Sequence, residues 1–214
     1  MRKHYKKLIR NMRDYGFLIA SQKALSYLFK AVYEHRTYRI YGLDLGTYQP
    51  REFDHRGFEF KFIDRNTNGI IEQIEVMEEW LQGEVKKKLE KGSLCLVALD
   101  GNRVAGFNLV SFNQVPVPLV GMEKDLSPDE AWSEQITVHK DYRKNNLGSE
   151  LRHRIFGELK IRGIRRLCGG TLSNNVANLA LSKKVGFREL TDIHYTKIFR
   201  FKKWNYEELA HEGF

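Results

Sequence analysis

The chain of 214 residues is 42% hydrophobic and 12% aromatic, so it can bury a core and is not a disordered tail. Its formal charge is +9, but ten of its Lys and Arg residues lie within residues 1–39 beside two acids, which leaves the remainder nearly neutral. A nucleic-acid-binding enzyme would carry a basic body, so no nucleic-acid partner is expected. The seven histidines lack ligand spacing, and Cys95 and Cys168 lie in apolar runs, which favours reduced thiols and no metal site.

The first third of the chain predicts a helix followed by two strands. Apolar side chains recur at helical spacing over residues 16–35, and the lysines within this run exclude a membrane-spanning helix. Residues 37–45 alternate and are rich in aromatics, as in a strand, and residues 46–57 are expected to form a loop. Residues 58–63 alternate cleanly and predict a half-buried strand.

The middle of the chain predicts helices, a hairpin and a long loop. Residues 68–91 fit one or two helices interrupted near Gly83. Two apolar runs, 94–99 and 103–112, flank an Asp-Gly turn and predict a β-hairpin. Residues 113–130 contain three prolines and are expected to form a long loop of the kind that often carries function.

The last third alternates strands with helices. We expect a strand over 132–138, a helix over 147–162, a strand over 166–172, a helix over 174–185 and a final strand over 193–201. Repeats and low-complexity segments are absent from the sequence.

The segment 136–149 predicts an anion site. A β-branched strand stops at a basic turn with Arg143 and Lys144, and the turn opens a helix through Gly148 and Ser149. Free N–H groups and the positive end of the helix dipole meet at such a joint, which suits a pyrophosphate. The alternative is an ordinary strand–loop–helix joint with solvated cations.

A second segment completes a family pattern. Ser173 or Asn174 would cap the helix that ends at Gly186, and an extended run begins at Phe187. Together the two segments resemble the GNAT superfamily of acyl-CoA N-acyltransferases, most specifically over 134–187 and more loosely over 58–201. The positions that match the family pattern are Val138, Arg143, Gly148, Asn175, Leu181, Gly186 and Phe187.

The resemblance implies the fold class. We expect a mixed α+β, GNAT-like fold, in which a central, mostly antiparallel sheet is flanked by helices. Residues 1–45 would form a basic N-terminal helical extension with a possible strand, and residues 46–214 the N-acyltransferase domain.

Three positions depart from the family pattern. Asn146 replaces the first turn glycine, and Asn tolerates the left-handed backbone that this position requires. Asn178 replaces an alanine. Ser182 replaces a tyrosine that is commonly assigned as the acid for the leaving thiolate, so the usual acid is missing.

The resemblance also implies which residues bind the co-substrate, acetyl-CoA or another acyl-CoA. Strand 136–138 would line the pantetheine arm and the basic turn would wrap the pyrophosphate. Asn174 and Asn175 remain alternative helix caps. The expected coenzyme-binding residues are Ile136, Thr137, Val138, Arg143, Lys144, Asn145, Asn146, Leu147, Gly148, Ser149, Asn175 and Asn178.

Two residues are candidates for acid–base catalysis. Glu134 lies four residues before Val138 on the strand that borders the amine side, where a carboxylate would serve as general base; the alternative is a solvated residue paired with a cation. Tyr195, beside His194 at the start of the last strand, would replace the missing acid; the alternative is aromatic packing on the core.

The sequence therefore predicts an N-acyltransferase that acts on a primary amine of a small molecule or a protein. A catalytically silent coenzyme-binding or partner-docking module is the alternative, and a third possibility is a long-chain donor on an acyl carrier protein. We expect a cytoplasmic monomer or homodimer. Residues 1–30 would either lie on an anionic membrane surface at its inner face or pack against the domain or a second copy.

Overall fold

The computed structural model describes residues 32–49, 57–117 and 119–209. These residues divide into a larger unit, 38–192 with 208–209, and a smaller unit, 32–37 with 193–207. In these ranges the strands are β1 (Tyr33–Asp44), β2 (Glu59–Ile63), β3 (Leu94–Asp100), β4 (Arg103–Ser111), β5 (Gln114–Val117), β6 (Met122–Asp125), β7 (Glu130–Val138), β8 (Arg166–Leu172), β9 (Arg188–Ile198) and β10 (Phe201–Glu208). The helices are α1 (Asn68–Met77), α2 (Val85–Glu90), α3 (Leu147–Ile161) and α4 (Val176–Lys184), with 3-10 turns at Glu79–Leu81 and Lys140–Tyr142.

A single large sheet organises the larger unit. Its strand order is β9-β1-β8-β7-β4-β3-β2, and β5 and β6 form a separate two-stranded ribbon. The β1–β8, β4–β7, β3–β4 and β2–β3 pairs are antiparallel, whereas β7 and β8 are parallel and joined by the crossover helix α3. The predicted mixed, mostly antiparallel sheet flanked by helices is confirmed.

The two faces of this sheet carry separate apolar cores. Along β3, Leu94, Leu96 and Ala98 face one cluster and Cys95, Val97 and Leu99 face the other. Because successive strand residues point to opposite faces, one uninterrupted apolar run supplies both cores. Helix α3 covers the first cluster, whereas α1 and α2 cover the second.

Several predicted elements are confirmed close to their expected bounds. Strand β8 coincides with the predicted 166–172, and the β3–β4 hairpin turns at Gly101, whose φ is 58°. The helical segment 68–91 is interrupted as expected, with Gly83 at a φ of 73°. Glycine reaches this left-handed conformation without the penalty that a Cβ would bring.

Two expectations are wrong, and a third is wrong at its end. Most of the helix predicted over 16–35 lies outside the described residues, but its last three residues belong to a strand, because β1 begins at Tyr33. The predicted loop 113–130 contains the β5–β6 hairpin, in which alternate valines are buried and a proline is tolerated because the ribbon has only two strands. The final strand begins at Arg188 rather than 193, and a left-handed Phe199 (φ 53°) leads into β10, which the sequence did not indicate.

The smaller unit is held by side chains on β1, β9 and β10. His35 Nδ1 lies 3.0 Å from Thr196 Oγ1, and its ring stacks on that of His194. His194 in turn lies 3.1 Å from Thr37 Oγ1 through Nδ1 and 3.1 Å from Glu207 through Nε2. In neither unit is a described helix long and apolar enough to cross a membrane.

Candidate active site

Within the described residues, strand β7 has one unpaired edge in its second half. On one side it pairs with β4 as far as Val138, but its parallel ladder with β8 stops at the pair Ser133–Gly169. Residues 134–138 therefore turn an unpaired backbone edge toward a pocket of about 1370 Å³. An edge of this kind offers N–H and C=O groups to an extended ligand.

Glu134 occupies a β-bulge on this strand. Leu109 pairs with Gln135 and Val110 with Ser133, so Glu134 has no partner across the β4–β7 ladder. A bulge redirects the side chain of the extra residue, and here the carboxylate lies in the pocket lining. Its Oε2 is 2.5 Å from Lys88 Nζ, and its Oε1 accepts a hydrogen bond from Ser111.

The turn after β7 presents the start of α3 to the same pocket. Asn146 precedes the helix with a φ of 61°, so the asparagine adopts the left-handed conformation expected where the family has glycine. The first N–H that donates to the Asn146 carbonyl is that of Glu150. The N–H groups of residues 147–149 therefore remain available at the helix N-terminus. Lys184 holds the Asn146 side chain through a 2.7 Å hydrogen bond.

Side chains around this helix start suit an anionic ligand. The buried Ser149 hydroxyl lines the pocket and has no hydrogen-bond partner among the described residues. A Cβ built on Gly148 would lie 3.3 Å from Leu181 Cδ2, so the backbone here is closely approached. Arg143 and Lys144 are exposed at the pocket rim; Arg143 Nε donates to the Val138 carbonyl at 3.1 Å. Full charges, a hydroxyl and backbone N–H groups thus converge, which fits a pyrophosphate.

Helix α4 closes the other side of the pocket. Its cap is Asn175, whose Oδ1 accepts from Asn178 N at 3.2 Å, so the expected caps Ser173 and Asn174 are wrong. This bond makes Asn175 the helix cap, as the alternative for this residue proposed, and its amide also donates to Thr171 Oγ1 at 3.2 Å. Ser182 is buried, and its hydroxyl lies 3.4 Å from Asn178 Oδ1.

The structure brings the predicted coenzyme residues together around one pocket, with a single exception. Asn145 is exposed and does not belong to the described lining, whereas the other predicted coenzyme residues do. Within the strand, Ile136 and Val138 pack toward the first apolar cluster. Thr137 points the other way and donates to a carboxylate, Glu78.

Glu78 is a pocket residue that the sequence pattern placed only within the helical segment 68–91. It lies between α1 and the following 3-10 turn, with extended backbone (φ −135°, ψ 90°), so the helix ends there and the side chain leaves the helical face. Its Oε1 accepts from Thr137 Oγ1 at 2.7 Å, and no cation pairs with it among the described residues. The helix break near Gly83 was visible in the sequence, but the contact with β7 was not.

Tyr38 is a second pocket residue that the sequence analysis missed. A Cβ on Gly170 of β8 would lie 2.3 Å from Tyr38 Cε1, so the ring rests directly on the glycine backbone. Burial, and then the nearby Tyr41 and Glu134, raise the pKa of Tyr38 well above its usual value, so its hydroxyl stays protonated. The consecutive glycines of β8 were the available signal.

Tyr195 and His194 belong to the smaller unit. Tyr195 is buried, with its ring 5.8 Å from that of Trp204. The aromatic packing named as the alternative is present. The role of Tyr195 as a general acid stays a prediction.

The two cysteines do not belong to the described pocket lining. Cys95 and Cys168 are free and buried, and burial raises their pKa to about 12 and about 11, so both are thiols at neutral pH. The described residues contain no cluster of three or more His, Cys, Asp or Glu placed to hold a metal.

The sequence profile of the acetyltransferase (GNAT) family matches residues 53–187, which is more than half of the chain. The chain belongs to the GNAT family. A GCN5-related N-acetyltransferase from Sphaerobacter thermophilus is 17% identical with a TM-score of 0.56, and the match covers 85% of this chain and 58% of that one. A tandem GNAT protein from the clavulanic acid biosynthesis pathway is 13% identical with a TM-score of 0.53, over 90% of this chain and 59% of that one.

Because the sequence identities are low, these two similarities show a shared fold alone. This GNAT chain spans under two thirds of the length of either solved structure. Among curated proteins, none matches it by sequence.

Proposed function

We propose that this GNAT chain is an N-acyltransferase that moves an acetyl or other acyl group from a coenzyme A thioester to a primary amine. The observation that carries the proposal is the unpaired edge of β7, which runs directly into the open N-terminus of α3. Ser149, Arg143 and Lys144 supply donors at that point. Coenzyme A requires two features: a strand edge that can bind its amide-containing arm, and a cationic helix N-terminus that can bind its pyrophosphate.

The acidic side of the pocket supplies the acceptor site in this proposal. Glu78 and Glu84 line it together with the half-exposed Trp80, and carboxylates attract a cationic amine. Glu78 would hold the ammonium group, since Thr137 is the one described donor to its carboxylate. Amino sugars, amino acids, polyamines and protein amines all remain open as acceptors.

Glu134 is the proposed general base. Its carboxylate lines the pocket beside Lys88, and a carboxylate in this position is suited to accept a proton from a bound amine. Glu134 first takes one proton from the ammonium group, and the neutral amine then attacks the thioester carbonyl. As the C–N bond forms and the C–S bond breaks, the nitrogen gives up its second proton and the leaving thiolate accepts it. Tyr38, whose hydroxyl stays protonated, is a hydrogen-bond donor in the same pocket.

A silent coenzyme-binding module is the second candidate, and Ser182 favours it. This serine is buried and hydrogen bonded beside Asn178, and a serine hydroxyl is a much weaker acid than the tyrosine usual at this position. Coenzyme A release from acetyl-CoA with a pool of amines separates the candidates. Steady amine-dependent thiol production supports the enzyme, whereas binding without turnover supports the module.

The coenzyme site has its own test with a matched control. Lys144→Gln removes a cation at the pocket rim and should weaken coenzyme A binding in calorimetry. Lys140→Gln removes an exposed cation from the same turn that does not belong to the described lining, so its affinity should equal that of the wild type. An equal loss of coenzyme A affinity in both variants would show that overall charge, and not the position of Lys144, causes the effect. Comparing acetyl-CoA with long-chain acyl carrier protein thioesters then identifies the donor.

A further inference from the structure

Arg152 is the largest fully buried side chain of the described chain. It lies in the second turn of α3 and is one of the residues that line the pocket. The centre of this group is 5.0 Å from the Phe187 ring and 5.9 Å from the Tyr41 ring. A full positive charge is therefore held inside an aromatic wall rather than at the solvated rim.

The hydrogen bonds of Arg152 do not neutralise this charge. Its Nη2 donates to Asn178 Oδ1 at 3.1 Å and to Ser182 Oγ at 3.4 Å, and both acceptors are uncharged. Its Nε and Nη1 have no hydrogen-bond partner within the described residues. The nearby helix carboxylate, Glu150, instead pairs with Arg154 at 3.0 Å.

A buried guanidinium without a counter-ion among the described residues is energetically unfavourable. Charged side chains are almost never fully buried unless they are paired, because they lose their hydration. Neutral acceptors and aromatic faces replace that hydration only in part. An anionic group entering the pocket would complete the pairing, and arginine binds carboxylates particularly well.

The depth of Arg152 distinguishes this anion from the coenzyme pyrophosphate. Arg143, Lys144 and Asn146 at the start of α3 are exposed, as suits a strongly hydrated phosphate. Arg152 is 0% exposed and lies beside Ser182 and the aromatic wall. The pocket thus carries cations at two depths, one set solvated and one enclosed.

We propose that Arg152 binds a carboxylate group of one of the two substrates, and this inference rests on the proposed acyltransferase function. The carboxylate would belong either to the acyl group, as in a dicarboxylic acyl thioester, or to an acceptor amine that carries an acid, as in an amino acid. Both sources share the chemistry that the enclosed guanidinium recognises.

Two matched pairs of probes test the proposal on the full chain. The donor pair is S-(2-carboxyethyl)-coenzyme A and S-propyl-coenzyme A, two stable thioethers of equal chain length, measured by calorimetry. The acceptor pair is β-alanine and propylamine, compared as kcat/KM with acetyl-CoA. We expect the acid to be favoured about 10- to 100-fold in one pair, which identifies the source.

Substitution assigns the preference to the arginine. Arg152→Met, similar in bulk and uncharged, should abolish the preference and leave S-propyl-coenzyme A binding unchanged. Arg152→Lys should retain part of it, and Arg154→Met, a control on the same helix, should retain all of it.

Three results overturn the proposal. Wild-type protein without a preference in either pair shows that no carboxylate is recognised, while the acyltransferase function stands. Equal loss of both thioethers in Arg152→Met places the arginine in the coenzyme site instead. If neither thioether binds the wild type, the proposed function falls together with this inference.

Discussion

Gly148→Glu is predicted to abolish coenzyme A binding, because it places a carboxylate at the start of α3. An added Cβ would lie 3.3 Å from the flexible end of Leu181 and 3.6 Å from Val138 Cγ2, so the first carbon alone needs only a small adjustment. The longer side chain would then enter the space beside the helix N–H groups and the Ser149 hydroxyl, which has no hydrogen-bond partner among the described residues.

The magnitude follows from Coulomb's law. Two like charges about 4 Å apart repel by about 1 kcal/mol in water and about 4 kcal/mol at an effective dielectric constant near 20. Since about 1.4 kcal/mol is a factor of ten, charge alone should weaken binding by roughly one to three powers of ten. Obstruction of the helix N–H groups adds to this loss.

Isothermal titration with coenzyme A measures the effect, and two variants at the same position isolate its cause. Gly148→Gln has the same bulk without the charge and should bind better than Gly148→Glu, and Gly148→Ala should stay close to the wild type. Circular dichroism confirms that each variant is folded. Unchanged affinity in Gly148→Glu, or identical affinities for the Glu and Gln variants, would refute the argument about the phosphate cradle.

The remaining predictions concern the carboxylates and the N-terminal arm. Glu134→Gln should lower kcat by about 10²–10⁴-fold while coenzyme A still binds, and Ser182→Ala should cost far less; equal losses in stopped-flow or steady-state assays would reverse the roles. Glu78→Gln should raise KM for the amine more than it lowers kcat, and a pure kcat effect would make Glu78 the base instead. Residues 1–30 lie outside the described residues; if they bind anionic vesicles, co-sedimentation should fade at 1 M salt, where the screening length is about 3 Å. Absence of binding at low salt, together with unfolding on truncation, would make the arm structural.

The sequence by itself determined the elements with strong local signals. The basic turn before α3, the Asp-Gly hairpin and strand β8 were predicted near their observed bounds, because turn residues and short-range periodicity fix the backbone locally. The left-handed Asn146 was likewise expected, because it occupies the position of the family's turn glycine and asparagine tolerates this conformation. Family-specific spacing then indicated one anion-binding joint, and its residues do line one pocket.

Only the tertiary structure decided which residues from distant segments lie around the anion-binding turn before α3. Glu78 meets Thr137 across 59 residues of sequence, Lys88 meets Glu134 through a bulge, and the ring of Tyr38 rests on a glycine of β8. Strand register and the point where two strands diverge depend on pairing between distant segments, and local periodicity carries no information about either. Arg152 is the clearest example. A charged residue in an amphipathic helix is predicted to face solvent, whereas the structure shows this arginine fully buried.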